Sequence, residues 1–325
     1  MAFTVAHSPE EWVRHFGAAR TVLTIGNFDG VHCGHQKVFQ QVVDRARRGH
    51  CLAAALTFSP HPARVLRPDA APLMIETFSQ RVERMKTLGL DAVYVLQFDA
   101  AVASMAPQEF VERILANILH TKAVLVGENF RFGHRQAGDT RLLAALGRAH
   151  DFQVECVPYL QIRGTAVSSS AIRTAISLGH MERAAHLLGR PFALAGEIRT
   201  GTGTGRRFVF PTLNLATGQE LLPARGVYAA EAIVHEKCYR AATNVGMRPT
   251  FDGTRLSIES HLFDFSEEIT SGPLEVRFWR HLREEQKFSG PEALREQIRR
   301  DLAATRSFFA RLDAARRVVK RSVRT

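Results

Sequence analysis

Cysteine is scarce and scattered. Cys33, Cys51, Cys156 and Cys238 are the only four in 325 residues, and without a Cys-x-x-Cys pair they encode neither a disulfide framework nor a thiolate zinc site. No stretch approaches the roughly 18 apolar residues of a membrane-spanning helix. Internal repeats and low-complexity tracts are also missing, and 45% hydrophobic with 23% charged residues excludes bulk disorder and collagen-like structure. No secretory leader is legible at the N-terminus, where Glu10 and Glu11 interrupt a short mixed segment. These absences predict a reduced, cytoplasmic protein that makes no use of a membrane.

What is present is length and positive charge. A chain of 325 residues holds about two domains, each large enough for its own core. Forty-three basic against 32 acidic residues give a net charge of +11, which points to anionic partners. Nucleic acid is one such partner, and the basic end ARRVVKRSVRT suits it, but no zinc finger or RNA-recognition motif is found. Nucleotides and flavin phosphates satisfy the same charge.

The first half alternates apolar runs with helical patterns. TVLTIG (21–26), CLAAALTF (51–58), AVYVLQF (92–98), AVLVGE (123–128) and FQVECVP (152–158) each predict a strand buried on both faces. Between them, Val38, Val42 and Ala46 mark a helix ending at Gly49, Thr77 with Gln80 forms a capping box, and Pro107 suits a first helical position. This alternation predicts a doubly wound parallel sheet that binds ligands at the carboxyl ends of its strands. From Ala193 short strand-like runs separated by Gly, Pro and Thr predict an antiparallel barrel, with a boundary at 186–192. Leu294, Ile298, Leu302, Phe309 and Leu312 then mark the apolar stripe of a closing helix.

GNFDGVHCGHQ (26–36) follows the first of those runs and opens a helix. A glycine-rich strand-to-helix turn lets a phosphate approach the backbone, and the helix N-terminus offers it free N–H groups. His32 and His35 add donors, and their spacing puts both imidazoles on one side of the turn. Cys33, between them, is a thiol at a helix N-terminus that can be acidified there, an inert small side chain being its competing role, whereas Cys51 and Cys156 are expected to be buried in strands and slow to react. In the second half, Gly201, Gly203 and Gly205 with Arg206 and Arg207 form a second phosphate-compatible loop. Thr212 and Asn214, two apart, share one face of a strand, where their oxygens can reach one Mg²⁺.

These strings, together with TFSPHP (57–62), VGENFRFGHRQAGD (126–139), VSSSAIR (167–173), GVYA (226–229), NVGMRPTF (244–251), ESHLFDF (259–265) and LREEQKF (282–288), resemble the bacterial bifunctional riboflavin kinase/FMN adenylyltransferases. The resemblance extends to about residue 310. It implies an N-terminal Rossmann-like nucleotidyltransferase domain over 1–187 and a C-terminal β-barrel riboflavin kinase domain with a helix and basic tail over 188–325. Riboflavin, FMN and FAD are then substrates and products, with ATP as co-substrate and Mg²⁺ as the metal. Oligomeric state is not implied.

Residue by residue, the resemblance assigns the ATP phosphates of adenylyl transfer to Gly26, Phe28, Asp29, Gly30, His32, His35, Ser168, Ser169 and Arg173, with His32, His35 and Arg173 as the catalytic residues among them. It assigns the flavin end to His61, Asn129, Phe130 and Arg131. Core packing is the competing role for Phe58, Phe130 and Phe132, and a turn or cap for Asp29. In the kinase half, Gly201, Gly205, Arg206, Thr212 and Asn214 match the ATP and metal site, and Glu259 the catalytic base. The chain departs from the family at Thr200, Thr204, Phe208, Val209, Thr270 and Ser271, which leaves a second reading: adenylyl transfer alone, with the barrel as a flavin-binding module.

Overall fold

The computed structural model describes residues 2–199, 212–250 and 253–322, with side chains for all of these but 248–250, 253–255 and 318–322. The chain divides into two compact units, Met1–Ser169 and Ser170–Thr325.

Strands β1 (Thr4–Ala6), β2 (Thr21–Ile25), β3 (Leu52–Ser59), β4 (Ala92–Gln97), β5 (Thr121–Gly127) and β6 (Gln153–Val157) form one sheet in the order β1-β4-β3-β2-β5-β6. Every pairing is parallel. Alternate residues feed two cores: Leu23, Ala54, Leu56 and Tyr94 pack with Trp12 on one face, Val22, Ala53, Ala55 and Val93 with Phe39 and Met85 on the other. Both faces are therefore apolar, which is why these strands read as continuous hydrophobic runs. β6 departs from that expectation. It ends the sheet order and is mostly exposed, so Cys156 is exposed too, while Cys51 lies just before β3 and is only half-buried. An outer strand has a neighbour on one side alone, and β6 spends its side chains on polar contacts such as Arg45 to Glu155 at 2.5 Å.

The helices start where the local signals place them. Thr77 and Gln80 form both halves of the capping box on the helix Phe78–Thr87, and Pro107 opens the helix Pro107–Phe110. The helix Cys33–Arg48 stops at Gly49, but the left-handed residue is His50, at φ 50°. A two-stranded hairpin, β7 (Gln161–Ile162) and β8 (Thr165–Ala166), precedes the helix Ser169–Ser177.

In the second unit, β9 (Phe192–Arg199), β10 (Leu213–Ala216), β11 (Gly226–Val234), β12 (Lys237–Thr250), β13 (Gly253–Leu262) and β14 (Pro273–Arg283) close into an antiparallel barrel, β10-β13-β12-β11-β14-β9, sealed by β9 against β10. The change of texture near Leu188 coincides with the approach to β9. The helix Met181–Leu188 nevertheless packs on β9 and β14, burying Met181, Ala184 and Leu187, and its Glu182 lies 3.0 Å from Arg280. That packing is why the second unit begins before the composition changes.

The long helix Pro291–Ser322 lies along β11, β12 and β14. Its buried stripe contains Phe309 but also Asp301 and Thr305, which an apolar count passes over. Asp301 accepts from Arg283 Nε at 2.9 Å and Nη2 at 2.8 Å, and from Gln297 at 2.9 Å. Breaking a buried pair strands one charge, whereas replacing both partners by apolar groups is far less costly. Arg283 is half-buried, so Asp301→Ala is expected to lower unfolding stability by about 2 kcal/mol and Arg283→Met with Asp301→Leu by clearly less. Urea denaturation followed by circular dichroism reads both, and equal losses would contradict the clasp.

Candidate active sites

In the parallel sheet the chain runs from β2 outward to β3 and β4 on one side, then returns to β5 and β6 on the other. The carboxyl ends of β2 and β5 thus flank the switch point where such sheets take ligands. Gly26–His32 leaves β2 there, and Glu128–Arg131 leaves β5.

The turn after β2 is tightly constrained. Phe28, Gly30 and Val31 have φ of 50°, 79° and 35°, and the Phe28 ring lies 3.0 Å from where a Cβ on Gly26 would stand. Positive φ suits Gly30, whereas a buried β-branched residue at such an angle is strained. Surrounding contacts hold it. Asp29, 2% exposed, accepts from Ile75 N–H at 3.1 Å to each carboxylate oxygen. Its own carbonyl accepts from Ser169 Oγ at 2.9 Å, and the Val31 carbonyl from Gln36 at 2.8 Å.

His32 caps the helix Cys33–Arg48, its Nδ1 accepting from His35 N–H at 3.3 Å. That acceptor role assigns the ring proton of the neutral imidazole to Nε2. The two imidazoles stack with centroids 3.5 Å apart and planes 16° from parallel, and the Phe28 edge meets His35 at 5.3 Å. Spacing alone predicted a shared side of the turn, and the rings are in contact. Ser168 and Ser169 lie at the start of the helix that carries Arg173 one turn further on.

Of the residues assigned to the flavin end, His61 caps the short helix Pro62–Leu66 beyond β3, its Nδ1 accepting from Ala63 N–H at 3.1 Å. Asn129 and Arg131 are exposed after β5, with Arg131 3.6 Å from Asp139. Phe130 is half-buried and stacks on Phe132, which belongs to the core, and Phe58 packs there as well. Phe130 thus has one side in the core and the other toward the loop.

The barrel offers a second cluster. Asn214 on β10 pairs in register with Glu259 on β13, which pairs with Asn244 on β12. Directly opposed residues on neighbouring strands share a face. The next positions, Leu213, Ser260 and Thr243, are buried, so the alternation puts Asn214, Glu259 and Asn244 on the other face, with Thr212 and Ser257. Ser257 Oγ donates to Glu259 Oε1 at 2.9 Å. Asn244 was not singled out from the sequence, because only strand register brings it to Glu259. Thr270 and Ser271 lie in an exposed turn before β14, whereas Gly201, Gly205 and Arg206, with Thr200, Thr204, Phe208 and Val209, fall outside the described residues.

The FAD synthetase family model matches residues 17–171 and the riboflavin kinase model residues 188–309. A curated relative from Escherichia coli strain K12, named bifunctional riboflavin kinase/FMN adenylyltransferase, is 34% identical over 89% of this chain and 92% of its own length. The chain belongs to the bifunctional riboflavin kinase/FMN adenylyltransferase family. A relative of the same name from Bacillus subtilis strain 168 is 33% identical over 90% of this chain and 94% of its own. A crystal structure described as a macrolide-efflux protein from Streptococcus pneumoniae shares the fold, with a TM-score of 0.84, 28% identity and coverage of 94% of this chain and 99% of that one. Among the described residues no helix is long and apolar enough to cross a membrane.

Membership in the bifunctional family leaves the nucleic-acid reading without support. It also disfavours the reading in which only adenylyl transfer survives, since the kinase model spans the barrel.

Proposed function

We propose that this chain phosphorylates riboflavin to FMN and then adenylylates FMN to FAD, using ATP in both steps. The observation that carries this reading is that each family half contains its own cluster of chemically apt residues: the stacked His32 and His35 at a helix N-terminus, and the Asn214–Glu259 pair across two strands. We assign adenylyl transfer to 1–187 and the kinase to 188–325. Four free cysteines, two of them exposed, support a reducing cytoplasm.

In adenylyl transfer the FMN phosphate attacks the α-phosphorus of ATP and pyrophosphate leaves. The nucleophile is already an anion, so positioning and charge stabilisation do the work. His32, His35 and the turn Gly26–Gly30 bind the triphosphate and take up charge developing on the leaving group. Asp29 acts through the turn, since its carboxylate is occupied by the backbone. Ser168, Ser169 and Arg173 hold phosphate oxygens, a planar guanidinium being suited to bidentate contact. His61, Asn129, Phe130 and Arg131 receive FMN.

In the kinase, Glu259 takes the proton from the ribityl 5′-hydroxyl as that oxygen attacks the γ-phosphorus and ADP leaves. Ser257 fixes the carboxylate's orientation. Thr212 and Asn214 would hold Mg²⁺, a hydroxyl and an amide carbonyl being hard oxygen donors of the kind that ion accepts. When bound it screens the charge of the ATP phosphates. Gly201, Gly205 and Arg206 cradle those phosphates.

Incubation with riboflavin, ATP and Mg²⁺, with flavins resolved by chromatography over time, should show FMN rising first and FAD following; failure of either product removes the corresponding half of the proposal. Glu259→Gln is expected to slow riboflavin phosphorylation by about 10²-fold or more while conversion of supplied FMN to FAD persists. An unchanged kinase rate would reduce Glu259 to a strand carboxylate. In that same variant, Mg·ATP should slow alkylation of Cys33, the first residue of the helix, but leave the exposed Cys156 and Cys238 unaffected. Mass spectrometry of the labelled peptides reads this, and a Cys33 rate indifferent to saturating ATP would mean the triphosphate lies elsewhere.

A further inference from the structure

The helix Phe78–Thr87 carries an arginine where its own spacing calls for an apolar residue. Arg81 lies between Phe78 and Met85, three and four residues away, on the face that packs against the sheet, and is only 6% exposed. Charged side chains are almost never so buried unless they are paired. Its guanidinium donates to the backbone carbonyl of Asn27 and lies 5.6 Å from the Phe78 ring centroid. Burial disfavours its charge, and Asp29 and Glu76 favour it. Glu76, itself 4% exposed, accepts from Arg84. Two carboxylates and two guanidinium groups thus balance one another behind the phosphate turn.

The placement is specific. Asn27 stands between Gly26 and the left-handed Phe28, so its carbonyl orientation helps set the plane from which the following N–H groups point. Thr57 Oγ1 reaches the same carbonyl at 3.5 Å, too far to hold it alone. Two residues on, the Asp29 carboxylate ties the turn to Ile75 and, at 3.4 Å, to Glu76. One segment, Ile75–Arg84, therefore grips the turn at two points.

We propose that Arg81 is a positioning residue for adenylyl transfer, pinning the Asn27 carbonyl so that the turn's N–H groups and the His32–His35 pair meet the ATP triphosphate. This rests on the functional reading above. Loss of Arg81 would leave that carbonyl only the long Thr57 contact and the buried Asp29 and Glu76 short of one countercharge. The ATP end of the reaction would suffer, and the flavin end and the kinase would not.

The test uses the full chain, whose second activity is an internal control. Arg81→Met should lower kcat/KM for ATP in FMN adenylylation at least tenfold, with KM for FMN and the riboflavin kinase constants within twofold of the parent. Arg81→Lys, which retains charge but not the planar reach, should fall about threefold, between parent and Arg81→Met. A purely structural role would instead lower the melting temperature and leave the ATP and FMN constants moving together. If Arg81→Met does not fold, Arg81→Lys decides alone. Any folded variant whose kcat/KM for ATP stays within twofold of the parent overturns the proposal. A parent chain that makes no FAD from FMN overturns the functional reading, and this inference with it.

Discussion

The carboxylate of Asp29 holds together the part of this molecule that has least reason to stay in place. The turn it belongs to contains two non-glycine residues and one glycine at positive φ, and sparsely populated backbone angles of this kind persist only where neighbours over-determine them. Those neighbours come from far along the chain. Ile75 and Glu76 donate to Asp29, Ser169 to its carbonyl, and Arg81 to the residue before Phe28. The constraint leaves N–H groups and two imidazoles at a helix N-terminus, where they suit an anion. A flexible turn would have to be ordered at the moment of binding, at an entropic cost that this one has met during folding.

The barrel solves the same problem with a ladder instead of a clasp. Closure gives β10 and β13 neighbours on both sides, so a register slip would disturb pairings around the barrel and turn side chains to the wrong face. Backbone pairing therefore keeps Asn214, Glu259 and Asn244 aligned. The long helix adds a fixed end to β14 through Arg283 and Asp301. One half uses tertiary hydrogen bonds from a distant segment and the other uses strand register, and in the proposed function both serve chemistry that consists mostly of placing phosphates.

Local patterns carried much of this. Buried strands, helix starts at Thr77 and Pro107, and the motif at Gly26–Gln36 are written in consecutive residues, so they survive reading without a structure. Partners that meet only through topology do not. Nothing near Asp29 in sequence points to Ile75, and nothing near Glu259 points to Asn244. The outer position of β6, and with it the exposure of Cys156, depends on strand order and not on composition. Arg81 and Asp301 are the instructive cases: each occupies a helical core position, where periodicity expects an apolar side chain, and each is a charged group matched to a partner that the sequence leaves unnamed.

The central claim is that each half holds its own reaction and that FMN joins them. Two variants, each impaired in one reaction, test it most directly when mixed: Glu259→Gln, impaired in the kinase, and His32→Ala with His35→Ala, impaired in adenylyl transfer. Given riboflavin, ATP and Mg²⁺, the first alone should accumulate neither FMN nor FAD at early times and the second alone should stop at FMN, whereas the mixture should form FAD after an FMN lag. A mixture that makes no FAD, or a histidine variant that makes FAD as the parent does, would contradict the account.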